Sequence, residues 1–141
     1  MMKSFFALAA LAASAYAQTV TIAAPAAGAT VTAGQSFVVD VAKPNTISGS
    51  EDVSVVIGLG SPAITTGLGR ILFAGPYTPT GHPDAPLGTI EFYQNITVTV
   101  PTNVAPGEAS LRVAHFVLVG ADLSPTIDSH NVTINVVGGS A

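Results

Sequence analysis

Three histidines, eight carboxylates and no cysteine are the groups from which this chain could build a reactive site. The absence of cysteine removes disulfides, thiolate metal ligands and a cysteine nucleophile together. His82, His115 and His130 fall at no metal-ligand spacing. His115 stands in the middle of an apolar run, which reads as a packed, hydrogen-bonded histidine rather than a ligand or a base. His82 lies in a Pro/Gly loop, where plain solvation is expected. Asp40, Glu51, Asp52, Asp84, Glu91, Glu108, Asp122 and Asp128 fall mostly in turns or at strand edges. Two of them could form a carboxylate pair, but no spacing selects which. A copper-dependent polysaccharide oxygenase would present a histidine at its processed N-terminus, and here that position is Gln18. There is no Gly-x-Ser-x-Gly elbow and no phosphate loop. The inventory predicts a protein that is not an enzyme and holds no cofactor or metal.

Composition bounds the alternatives. The chain of 141 residues has the length of one domain, and 48% of it is hydrophobic against 9% charged. That leaves ample material for a core and argues against a disordered tail. The formal net charge is −4 with only four Lys plus Arg, so nucleic acid is an improbable partner. Met1-Met2-Lys3, the apolar Phe5–Ala13 and the small-x-small Ala15-Tyr16-Ala17 read as a secretory signal peptide over 1–17. Cleavage between Ala17 and Gln18 would leave a single domain over 18–141, expected to be monomeric. The apolar leader is too short for a span of ~20 residues, and the C-terminal Val136-Val137-Gly138-Gly139-Ser140-Ala141 lacks the hydrophobic tail of a lipid anchor. The expectation is a secreted protein with no membrane anchor.

The elements that must position any site all read as strands. Ala109 to Ala121 is apolar in both parities, with Leu111, Val113, Val117 and Val119 on one and Ala114, Phe116 and Leu118 on the other. Such a strand is usually central and covered on both faces. Arg112 marks the even parity as solvent-side at its start, so Phe116 and Leu118 would form an apolar patch unless a loop covers them. The Gly/Pro-rich segment 63–88 is available to do so, and cover is the favoured expectation. Phe37, Val39 and Val41 alternate, as do Val53, Val55, Ile57 and Leu59. Ile90, Phe92, Ile96, Val98 and Val100 do the same, and so do Val132, Ile134 and Val136, while Arg70–Ala74 makes a short strand. Outside the leader no segment sustains a 3.6-residue apolar period. About seven short strands predict an all-β, immunoglobulin/fibronectin-III-like antiparallel sandwich. Asn95-Ile96-Thr97 and Asn131-Val132-Thr133 are N-glycosylation sequons whose asparagines should point away from the core.

Three stretches taken together resemble the necrosis-inducing secreted protein family of fungal effectors. They are Leu68-Gly69-Arg70-Ile71-Leu72-Phe73-Ala74-Gly75-Pro76-Tyr77-Thr78-Pro79, Asn95-Ile96-Thr97-Val98-Thr99-Val100-Pro101 and Leu111-Arg112-Val113-Ala114-His115-Phe116-Val117-Leu118-Val119-Gly120-Ala121. The pattern from Pro25 to Val41 and Ser48-Gly49-Ser50-Glu51-Asp52-Val53 fit as well. The resemblance implies a secreted protein delivered to plant tissue, with entry into host cells left open. It implies suppression of pattern-triggered immunity through binding of host receptor-like kinases, and in some members induction of cell death. It carries over no catalytic residues.

If regular strands spend their apolar residues on a core, a partner must be read by loops or by an uncovered face. Leu72, Phe73 and Tyr77 are the loop candidates for partner binding, and Phe116 and Leu118 are the candidates on the face. Equally, the segment around Tyr77 could plug one end of the sandwich. The alternative function is a cell-wall or carbohydrate-binding module. Against it, tryptophan is absent and only Tyr77 and Tyr93 remain after cleavage to serve as stacking platforms.

Overall fold

A computed structural model describes residues 19–44, 49–81 and 91–139. Among them are nine strands and no helix: β1 (Thr21–Ala24), β2 (Thr30–Thr32), β3 (Ser36–Pro44), β4 (Ser50–Gly60), β5 (Arg70–Pro76), β6 (Thr80–Gly81), β7 (Glu91–Thr99), β8 (Gly107–Val119) and β9 (Ser124–Val137). They form a four-stranded sheet in the order β1-β3-β7-β6 and a five-stranded sheet in the order β2-β9-β8-β4-β5. The two sheets pack as the all-β sandwich that the alternating sequence implies. The proposed cleavage point at Ala17 and Gln18, and His82, lie outside the described residues.

Alternation along each strand supplies the core. Val39 and Val41 from β3 and Ile96 and Val98 from β7 meet Val55, Ile57, Leu111, Val113, Ile134 and Val136 of the opposite sheet, all buried. Each such side chain contributes roughly 1.5–3 kcal/mol by leaving water. The run read as central is so in the fold: β8 lies between β9 and β4, paired antiparallel with both.

Four expectations require correction. Among the described residues the strands number nine rather than about seven: the N-terminal stretch is divided, β1 joining β3 and β2 joining β9, and the short β6 adds to β7. Pro25 follows β1 directly; lacking an N–H, it ends that pairing and lets the chain cross between sheets. The β2–β9 pair is parallel, so the sandwich is not wholly antiparallel. Val53 does not share the inward face of Val55, since a register shift between Asp52 and Ser54 leaves Val53 37% exposed. Two residues there oppose one on β8, and this bulge turns Asp52 inward instead.

The fourth correction concerns Arg112, which is buried rather than solvated. The chain between β4 and β5 folds back over the outer face of the sheet and is held there by its guanidinium. Nη2 donates to the Ser61 carbonyl at 3.2 Å, Nη1 donates to the Gly67 carbonyl, and Nε donates to Ser110 Oγ at 3.0 Å. Gly58 permits the approach, since a Cβ there would lie 2.2 Å from the Leu68 carbonyl oxygen. The described part of this loop thus covers Arg112 and Gly58. Phe116 and Leu118, further along β8, stay half-exposed on the same face.

Candidate partner-binding face and the charge network beneath it

β8 presents different chemistry on its two sides. Inward, His115 is fully buried and both its ring nitrogens meet carboxylates: Nδ1 lies 2.8 Å from Asp128 Oδ1, and Nε2 lies 2.9 Å from Asp52 Oδ1. Asp128 stands directly opposite His115 in the β8–β9 ladder, and Asp52 arrives through the β4 bulge. Lys43, on β3 of the other sheet, reaches across to Asp52 Oδ2 at 2.6 Å. The remaining Asp128 oxygen accepts from the Val20 N–H at 2.8 Å, and His130 Nδ1 accepts from the Ile22 N–H at 3.2 Å. The network therefore ties both sheets and the N-terminal strand together.

Its protonation follows from the geometry. With both carboxyl groups ionised they only accept, so each imidazole nitrogen then carries a proton and His115 is an imidazolium. Two cations then face two carboxylates, and the buried cluster is electrically balanced. Burial alone would lower the His115 pKa, but the hydrogen bonds to Asp128 and Asp52 outweigh it and hold the group above the usual imidazole value. Burial likewise pulls Asp52 up, and the bonds from His115 and Lys43 take it below the usual carboxylate range. No imidazole lone pair is left for a metal or for proton abstraction, so this His–carboxylate constellation acts as a clamp.

Tyr77 belongs to the same interior. It is 1% exposed, its ring stands edge-on to His115 with centroids 5.2 Å apart, and its hydroxyl donates to the Val41 carbonyl at 2.8 Å. Burial first, then the Asp52, Asp40 and Asp128 charges, push its phenol pKa up. As a candidate partner anchor Tyr77 is corrected: it plugs the space between the sheets. Leu72 and Phe73 are half-buried and packed against the same core.

Outward, β8 offers Phe116 and Leu118. Phe116 is paired across the ladder with Ile127 of β9, which is 73% exposed, and Leu118 with Pro125. On the other side Ala114 stands opposite Val56 of β4, and the β5 edge adds Ile71, 51% exposed, and Pro76. The five candidates thus divide into an inner set (Leu72, Phe73, Tyr77) and an outer pair (Phe116, Leu118), on opposite sides of one sheet. Sequence reasoning missed Ile127. Extending the β9 alternation of Val132, Ile134 and Val136 back through His130 and Asp128 would have turned Ile127 outward. Asn95 and Asn131 both have exposed side chains.

Fold and site together define a small β-sandwich protein in which His115, Asp52, Asp128 and Lys43 form an internal clamp and the five-stranded sheet shows a partly exposed apolar face. Residues 15–135 match the model of the Nis1 family, and the chain belongs to that family. It is 30% identical over 115 residues to necrosis-inducing secreted protein 1 of Colletotrichum orbiculare, covering 76% of this chain and 64% of that relative. To the protein of the same name in Colletotrichum higginsianum it is 32% identical over 114 residues, covering 76% of this chain and 72% of that one. The chain thus spans under two-thirds of the first relative's length. These relatives are named as secreted, and the protein is placed outside the cell with them. Among solved structures, it is similar to the copper-bound, cellulose-active LPMO CelS2, at 17% identity and a TM-score of 0.49, covering 79% of this chain and 54% of that one. It is also similar to the fibronectin(III)-like modules of Clostridium thermocellum CbhA, at 15% identity and a TM-score of 0.44, covering 87% of this chain and all of that one.

Proposed function

We propose that this protein is a non-enzymatic secreted effector that binds a plant immune receptor kinase through the outer face of its five-stranded sheet and thereby suppresses pattern-triggered immunity. The observation that carries the reading is the exposed Ile127 paired with the half-exposed Phe116 at the centre of that face. Apolar side chains clustered on a sheet face, rimmed by Glu51, Ser129 and Asn131, are the kind of surface that marks a protein–protein contact. Family membership supplies the effector class. The glycan-binding alternative loses ground because Tyr77, one of its two aromatic candidates, is buried.

The test is binding of purified protein to receptor-kinase domains, with melting temperature recorded for each variant. Phe116→Asp and Ile127→Asp are expected to weaken binding by ~10-fold or more, the loss of an anchor worth over about 1.4 kcal/mol. Folded variants that bind as wild type would move the contact off this face.

A further inference from the structure

Arg112 carries a charge that no carboxylate answers among the described residues. It is 7% exposed, yet its three hydrogen bonds all go to neutral oxygens, the Ser61 and Gly67 carbonyls and Ser110 Oγ. A guanidinium has five N–H donors, so two remain, together with the full positive charge. Among the described residues no carboxylate pairs with it, whereas the buried cations of the His115 network face two carboxylates. An unpaired buried charge is costly, and a neutral donor could hold the loop as well. The loop leaves Arg112 lining an open depression of about 310 Å³, whose other walls include Thr65, Thr66, Ser129 and Asn131. These are hydroxyl and amide groups able to donate to a bound oxygen.

We infer that this depression is an anion seat, and that Arg112 receives a carboxylate side chain of the protein partner. This rests on the reading that the partner lies on the adjacent apolar face. Arg112, Ala114 and Phe116 alternate along one side of β8, so the seat lies roughly 13 Å from Phe116, four residues at ~3.3 Å each. The matching epitope is an acidic residue about that far from an apolar anchor. A charged contact at the rim of an apolar core fixes the register of a complex as well as its affinity.

Asn131 gives a clean test, because it stands directly opposite Arg112 in the β8–β9 ladder and lines the depression. Asn131→Asp supplies the missing carboxylate from within, while Asn131→Gln removes the same sequon without adding charge. In protein made without glycans, the Arg112 side-chain N–H resonance is followed during titration with sodium acetate, and separately with sodium sulfate, at ionic strength held constant with chloride. Saturable acetate-dependent shifts are expected in wild type and in Asn131→Gln. Asn131→Asp should lose them at least ~10-fold in affinity and melt at a higher temperature. No saturable shift, or equal shifts in Asn131→Asp, would overturn the seat. Saturation by sulfate alone would overturn the carboxylate assignment and point to a phosphorylated or sulfated group. None of these readouts needs the kinase, so failure here is distinguishable from failure of the partner reading. With a partner in hand, Asn131→Asp should weaken binding ~10-fold where Asn131→Gln does not.

Discussion

Replacing His115 by leucine removes the imidazolium that separates two buried carboxylates. Asp52 and Asp128 are 13% and 16% exposed, so neither can recover its hydration where it stands. Removing one partner of a buried ion pair costs about 3–5 kcal/mol, a large share of the 5–15 kcal/mol that holds a domain together. Urea denaturation at pH 5.5 should therefore show the midpoint falling by roughly 2 M or more. The pH dependence is more diagnostic than the magnitude. The raised His115 pKa contributes stability that is fully present below the unfolded value of about 6.5 and is lost as pH rises through the folded pKa. The lowered Asp52 pKa contributes stability present above about 3.9 and lost as pH falls through its folded value. The gap between wild type and His115→Leu should thus be widest between about pH 4 and 6.5 and should narrow on both sides. Adding Asp128→Asn to the leucine variant should return at least half of the loss, because Asp52 keeps its ion pair with Lys43 and no carboxylate is then stranded. A gap that stays constant from pH 4 to 10, or one below about 1 kcal/mol at pH 5.5, would refute the imidazolium clamp.

Two further perturbations probe the same architecture. Tyr77→Phe removes the hydroxyl bonded to the Val41 carbonyl while keeping the ring against His115. It should cost about 1–3 kcal/mol in thermal or urea unfolding and leave partner binding unchanged, whereas a binding defect without destabilisation would return Tyr77 to the interface. Gly58→Ala places a methyl group 2.2 Å from the Leu68 carbonyl oxygen. The loop must lift, so amide exchange at Gly67–Gly69 should accelerate and Arg112 should lose its carbonyl partners; unaltered exchange would show that the close approach is not maintained in solution.

Alternation alone determined the fold class. Valines and isoleucines at every second position, with Gly/Pro punctuation between them, have a period of two, and this pattern can bury its apolar set only in packed sheets. The doubly apolar run from Ala109 to Ala121 likewise announced its central place, since such a strand needs neighbours on both edges. The N-terminal stretch and the β4 bulge were beyond that reading. Whether Thr30–Thr32 pairs with β9 or β3 depends on where the chain crosses between sheets, and a bulge is one extra residue that only a partner strand can reveal. That single residue decided the buried chemistry. In sequence Asp52 lies on the polar parity beside Val53; in the fold it turns inward and meets a histidine 63 positions away. Arg112 was misjudged for a related reason: charge signals solvent only until a returning loop offers carbonyls to bond it. The outer face was half legible, through Phe116 and Leu118, but its most exposed member, Ile127, sits on a strand whose first half is polar on both parities. Local pattern records which residues avoid water. Which carboxylate meets which imidazole, and which apolar side chains are left uncovered, depend on register between distant strands, and the tertiary structure alone sets that register.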